Sequence, residues 1–312
     1  MFKVRTIFAL LLVTFSISSS TFASEESFAY RTGQIIGISQ REYDPSTYLF
    51  ELVTGSRFGH VGFVITGADI YRFRDVLLQD DDFVQFSTIN KNIKDLIFVA
   101  ESRPGELYDS GVSLTNIHDF MKSADVYSII EPKEPLSDDQ IVELILFTAK
   151  CCAKRIKGTL TYNHRQKMQI TYSPTKLNCS EFIHWAFRKI NIIIGRPQQM
   201  KTLNLDSLGC LFLIGAWIVG MYDKDAYVLS PKSIMQSAVN HAMLNPEPPM
   251  AIVHDGAHLA KTYSVAEIRR LWQKPRLNQG LFSKTKDDEP FEEICFKEPE
   301  QQAMTASGCF AL

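Results

Sequence analysis

Seven uncharged residues, His60–Thr66 (HVGFVIT), stand between Gly59 and Gly67. A run this short and this apolar reads as a buried strand punctuated by glycine rather than as a helix. Residues 33–39 (GQIIGIS), 95–100 (DLIFVA, ending at Glu101) and 125–130 (DVYSII) read the same way. Two segments switch to helical spacing. One opens at Ser137 with Gln140 three residues on, the pattern of a capping box. Its apolar positions are Ile141, Leu144, Ile145, Thr148 and Cys152. The other runs over residues 178–190. A short amphipathic helix is expected at about residues 116–122, and Ser230-Pro231 reads as a further helix start with proline at its first position. Short strands and separate helices predict an α+β domain: a small antiparallel sheet packed on helices.

Lys3 and Arg5 precede an apolar run from Ile7 through Phe15, followed by small residues and Thr21-Phe22-Ala23. This is the pattern of a secretory signal peptide over residues 1–23, and it predicts export to a periplasm or beyond the cell. Lys and Arg number 33 against 35 Asp and Glu, a balance that argues against a dedicated nucleic-acid binder. Residues 208–221 (LGCLFLIGAWIVGM) are almost wholly apolar yet short for a membrane span. They are expected to form a core element, with membrane-surface or acyl-chain contact as the other reading. Of six cysteines, Cys295 and Cys309 are the best disulfide candidates. The adjacent Cys151 and Cys152 are hard to bridge to each other.

Cys179 begins the helical segment Asn178-Cys179-Ser180-Glu181. A thiol there faces unpaired backbone N–H groups and the positive end of the helix dipole. Both favour the thiolate, and the same N–H groups can hold an oxyanion. Such a nucleophile needs a base. His60 stands at the start of a strand between glycines. His184 lies about 140° around the helix from Cys179 by the ~3.6-residue period, poorly placed to touch the thiol. Glu101, at a strand end, and Glu181, in the first helical turn, are the acids available to orient a base. His254 and His258 have helical spacing but no HExxH motif, so they signal a metal site weakly.

Taken in order, the motifs are Gly33-Gln34-Ile35-Ile36, Gly59-His60-Val61-Gly62, a strand ending in Glu101, Tyr162-Asn163, Asn178-Cys179-Ser180-Glu181 and Leu229-Ser230-Pro231. This order resembles the circularly permuted papain-like hydrolases, the YiiX-like branch of the NlpC cell-wall endopeptidase superfamily, over about residues 31–245. The resemblance implies a papain-like α+β fold over residues 24–255, with residues 256–312 as a partly flexible C-terminal extension. It implies Cys179 as nucleophile, His60 as base and Glu101 as the acid that orients it. Tyr162 and Asn178 are candidates for oxyanion or substrate contact, and no metal or organic cofactor is required. The expected function is an exported cysteine hydrolase acting on a cell-envelope peptide or amide. The alternatives are lipid hydrolysis or acyl transfer, as in the related lecithin retinol acyltransferase group, and a catalytically inactive binding protein on the same fold.

Overall fold

The computed structural model describes residues 29–40, 48, 51–52, 54–86, 91–103, 110–122, 124–162, 176–199, 227–240 and 247–273. The expected signal segment, the apolar run 208–221, Cys210 and the Cys295/Cys309 pair lie outside them.

Five of the six main strands come early in the chain. They are β1 (Ile35–Gln40), β2 (His60–Thr66), β3 (Ile97–Arg103), β4 (Gly111–Asn116) and β5 (Ala124–Pro132). The sixth, β10 (Met250–Asp255), arrives much later. The order across the sheet is β10-β5-β1-β2-β3-β4, antiparallel throughout. The expected α+β architecture is therefore present. The run His60–Thr66 is buried almost end to end, and β1 and β3 flank it. A charge-free strand fits only such an interior position, where both faces are covered.

Two departures from the sequence reading matter for the site. First, β3 does not stop at Glu101. It continues to Arg103, because β4 keeps pairing as far as Arg103↔Gly111. Glu101 is thus an interior strand residue rather than a strand-end acid. Second, residues 250–255 form an edge strand on β5, so His254 and His258 do not share a helix. His254 lies in β10 and stacks on Tyr127, and His258 sits in a turn with φ 57°. Strand pairing and a left-handed turn override the i, i+4 spacing seen in the sequence.

Helices complete the domain. Between β2 and β3 lie α1 (Gly67–Arg72), α2 (Arg74–Leu77), α3 (Asp81–Phe86) and a 3-10 turn (Lys91–Asp95). Thr66 caps α1 by accepting the Asp69 N–H at 3.2 Å. After β4 comes α4 (Ile117–Lys122). The capping box read at Ser137 opens α5 (Asp138–Ile156), with both of its reciprocal hydrogen bonds present. Two-residue strands β6 (Thr161–Tyr162) and β7 (Lys176–Leu177) pair in parallel just before α6 (Cys179–Lys189). A further short pair, β8 (Gln198–Gln199) with β9 (Tyr227–Val228), precedes α7 (Pro231–Met235), which Ser230 caps as expected.

The core forms where α5 and α6 meet the sheet. Phe182 of α6 stacks on Phe63 of β2 and on Phe147 of α5, and Phe187 meets Phe63 edge-on. Packed structure also continues beyond residue 255. Helix α8 (Val265–Gln273) joins Tyr263 and Leu52 in a smaller cluster. The Trp272 indole N–H donates to Glu51 Oε2 at 2.7 Å, and Ser39 of β1 donates to Glu51 Oε1 at 2.7 Å.

Gly67 sits against backbone with no room for a side chain. A Cβ there would lie 1.6 Å from the Ile93 carbonyl oxygen, a backbone atom that cannot swing aside. Gly67→Ala is expected to destabilise the domain by about 1–3 kcal/mol or more through overpacking. Urea unfolding checks this, and an unchanged midpoint would refute it.

Candidate active site

Helix α6 begins where sequence chemistry says it should. Asn178 is the N-cap, and its Oδ1 accepts the Glu181 N–H at 2.8 Å. The Glu181 carboxylate accepts the Asn178 N–H at 3.0 Å. Both side chains are buried, so the capping box does the work of starting the helix inside the protein. Glu181 thus serves the helix start, and the Asn178 side-chain oxygen is committed to the same cap. Cys179 becomes the first helical residue. The N–H groups of Cys179 and Ser180 have no acceptor within the helix by position.

The sheet splits to admit this helix start. Pairing between β2 and β3 begins at Gly62↔Glu101, although both strands extend further at that end. Beyond that pair the strands are not paired, and the segment around Cys179 bonds to both of them. The Val61 N–H donates to the Cys179 thiol. The Ser102 hydroxyl donates to the Leu177 carbonyl at 2.7 Å. The backbone of Tyr162 is in register with Leu177, which brings it near the same point in the chain.

His60 and Glu101 meet beside that gap. Glu101 stands opposite Gly62, two residues along from His60, so both side chains leave the sheet on one face. His60 Nε2 and Glu101 Oε2 are 2.6 Å apart. The other imidazole nitrogen, Nδ1, is left for Cys179, with which His60 shares a side-chain hydrogen bond. Thr115 of β4 donates to Glu101 Oε1. Phe120 of α4 flanks the imidazole at 5.7 Å between ring centres. Gly62 keeps this space open, since a Cβ there would come within 3.2 Å of the Phe120 ring and 2.3 Å of Val99. Exposure is 5% at Cys179, 5% at His60 and 4% at Glu101.

The electrostatics follow from burial opposed by partners. Burial alone would strip the proton from His60. Hydrogen bonds to Cys179 and Glu101, and the charges on both, outweigh it and raise the imidazole to about 10. Burial would likewise raise Cys179 and Glu101. The hydrogen bond and charge of His60 pull both below their usual ranges, with Ser180 and the Val61 amide adding to the effect on the thiol. The favoured state is a thiolate–imidazolium pair backed by a carboxylate. Cys152 is the contrast. Also buried, but beside Cys151 and without an imidazole, it is pushed far above the usual thiol range and stays inert.

His184 stays apart from this chemistry. Its Nδ1–H donates to the Ile194 carbonyl at 2.6 Å, and burial, with Arg188 nearby, holds its pKa down. The sequence reading missed Thr115, Ser102 and the Val61 amide. Only strand register brings them to the site, and no motif marks them.

The fold and site together define an α+β domain with a six-stranded antiparallel sheet that buries a thiol, an imidazole and a carboxylate side by side. No family model matches the chain, and no curated protein matches it. Among solved structures it is similar to the crystal structure of the metalloprotein yiiX from Escherichia coli O157:H7. The identity is 18% and the TM-score 0.49, over 72% of this chain and 97% of that one.

Proposed function

We propose that this chain is an exported cysteine hydrolase that cleaves an amide or peptide bond in a cell-envelope substrate. In this reading it is a YiiX-like, circularly permuted relative of the NlpC cell-wall endopeptidases. One observation carries it: Cys179, His60 and Glu101, far apart in sequence, meet as a buried hydrogen-bonded series that pulls the thiol below its usual range and raises the imidazole. The order of motifs along the chain supports the family. The signal-like segment at residues 1–23 supports the envelope as the place of action.

The Cys179 thiolate attacks the carbonyl carbon, and the carbonyl electron pair moves onto oxygen. The N–H groups of Cys179 and Ser180 are the donors proposed for that oxyanion, with Tyr162 and Asn178 as the further candidates the sequence offers. The imidazolium of His60 protonates the departing amine as the carbon–nitrogen bond breaks, leaving a thioester on Cys179. Water then attacks the thioester, His60 takes its proton, and the acid product leaves with the thiolate restored. Glu101 holds the imidazole in orientation and balances its charge. The solved yiiX is a metalloprotein. Here, among the described residues, no group of three or more His, Cys, Asp and Glu side chains is arranged to hold a metal ion.

The test is labelling of the mature protein with iodoacetamide across pH, comparing wild type with Cys179→Ala and His60→Ala. Labelling of wild type should persist below the ordinary thiol range, because the thiolate exists above the depressed pKa of Cys179. It should vanish in Cys179→Ala and slow strongly at neutral pH in His60→Ala. Slow wild-type labelling that rises only around pH ~8.5, as for an ordinary thiol, would sink the proposal. Given fast labelling, release of peptide fragments from isolated envelope material identifies the bond cut.

A further inference from the structure

Glu101 is held at both oxygens. His60 occupies Oε2, and the Thr115 hydroxyl occupies Oε1. Thr115 pairs with Val99 across β3 and β4, one step diagonal from Glu101 and on the same face. Its β-branched side chain has little rotamer freedom, so the hydroxyl is delivered in a fixed direction. Helix α4 follows directly, and it brings the Phe120 ring against His60. The β4–α4 unit therefore touches both the carboxylate and the imidazole, although it contributes none of the three reacting side chains.

Building on the hydrolase reading above, we propose that Thr115 is a positioning residue, the fourth member of the series Cys179–His60–Glu101–Thr115. By holding Glu101 Oε1 it aims Oε2 at the imidazole and keeps the carboxylate charged in a buried setting. A hydrogen bond to the charged form favours that form, and a charged Glu101 favours imidazolium and hence thiolate. The charged groups that act on Glu101 are His60 from β2 and Arg103 from its own strand. From α4, the titratable residues His118, Asp119 and Lys122 are exposed, and Phe120 packs beside the imidazole. Cys179 is faced by His60, the Ser180 hydroxyl and the Val61 amide. Removing the Thr115 hydroxyl therefore alters one defined contact in this set.

The experiment uses Thr115→Val, close in shape but without the hydroxyl, and Thr115→Ser, which keeps it. Ser113→Ala is the control. Ser113 stands directly opposite Glu101, yet its buried hydroxyl meets no hydrogen-bond partner among the described residues. Iodoacetamide labelling of Cys179 is followed across pH in each variant, beside thermal unfolding. In Thr115→Val the acid limb of labelling should move to higher pH, and kcat/KM should fall by about 10–100-fold, as for loss of a hydrogen bond to a charged group. Thr115→Ser should restore the wild-type limb, and Ser113→Ala should leave it in place. A Thr115→Val limb that coincides with wild type overturns the proposal while the hydrolase reading stands. So does a Ser113→Ala shift as large as that of Thr115→Val, or a Thr115→Val defect confined to the unfolding temperature. If wild-type Cys179 itself labels as an ordinary thiol, both readings fall together.

Discussion

With His60 replaced by alanine, the hydrolysis proposed above is expected to fall on the order of 10⁴-fold or more in kcat/KM, because losing a paired base costs nearly as much as losing the nucleophile. The reason lies in burial. Cys179 is 5% exposed, and burial by itself pushes a thiol up in pKa. The imidazolium that faces it pulls the thiol below its usual range. Without His60 the thiol reverts to its protonated form, and nothing protonates the leaving amine. The pH profile of the wild type should show the same dependence. Activity rises as pH passes the depressed pKa of Cys179, and it is lost as His60 gives up its proton near pH 10. Steady-state kinetics across pH checks both limbs. A His60→Ala protein within tenfold of wild type would mean that another group acts as base.

The second large effect concerns stability. Phe182→Ala is expected to cost about 3–5 kcal/mol, the range for deleting a buried aromatic side chain. Phe182 is fully buried and stacks on both Phe63 and Phe147, so it ties α6, β2 and α5 together. It lies three residues after Cys179, so the cavity would loosen the helix that carries the thiol. Urea unfolding of Phe182→Ala measures the loss, and Cys179 labelling of the still-folded variant shows whether the thiol loses its partner. A cost below about 1 kcal/mol, far under the usual range, would mean that the site is held by its hydrogen bonds rather than by this packing.

Much of this chain was legible before any fold. The run His60–Thr66 reads as a buried strand, and it spans the same residues in the structure. The capping signals at Ser137 and Ser230 each start a helix at the expected residue. Such signals are local: a cap is satisfied by groups three residues away, so a linear reading finds it. A thiol at the start of a helix is local too, which is why Cys179 stood out.

Pairing is not local, and there the tertiary structure decided. Glu101 looked like a strand end because the apolar pattern stops at it. Pairing with β4 carried the strand on to Arg103 and turned the carboxylate into an interior group. His254 and His258 have the spacing of one helix face, but pairing with β5 drew His254 into a strand. The parting of β2 and β3 at Gly62↔Glu101 has no trace in either strand alone, yet it frees the Val61 amide for Cys179. Thr115 is one threonine in an alternating strand until register sets it beside Glu101. By itself the sequence determined which residues could carry cysteine chemistry and where their helices and strands begin. Which of them meet, and with what charge, depended on strand register and burial, because these arise only when distant segments share one sheet.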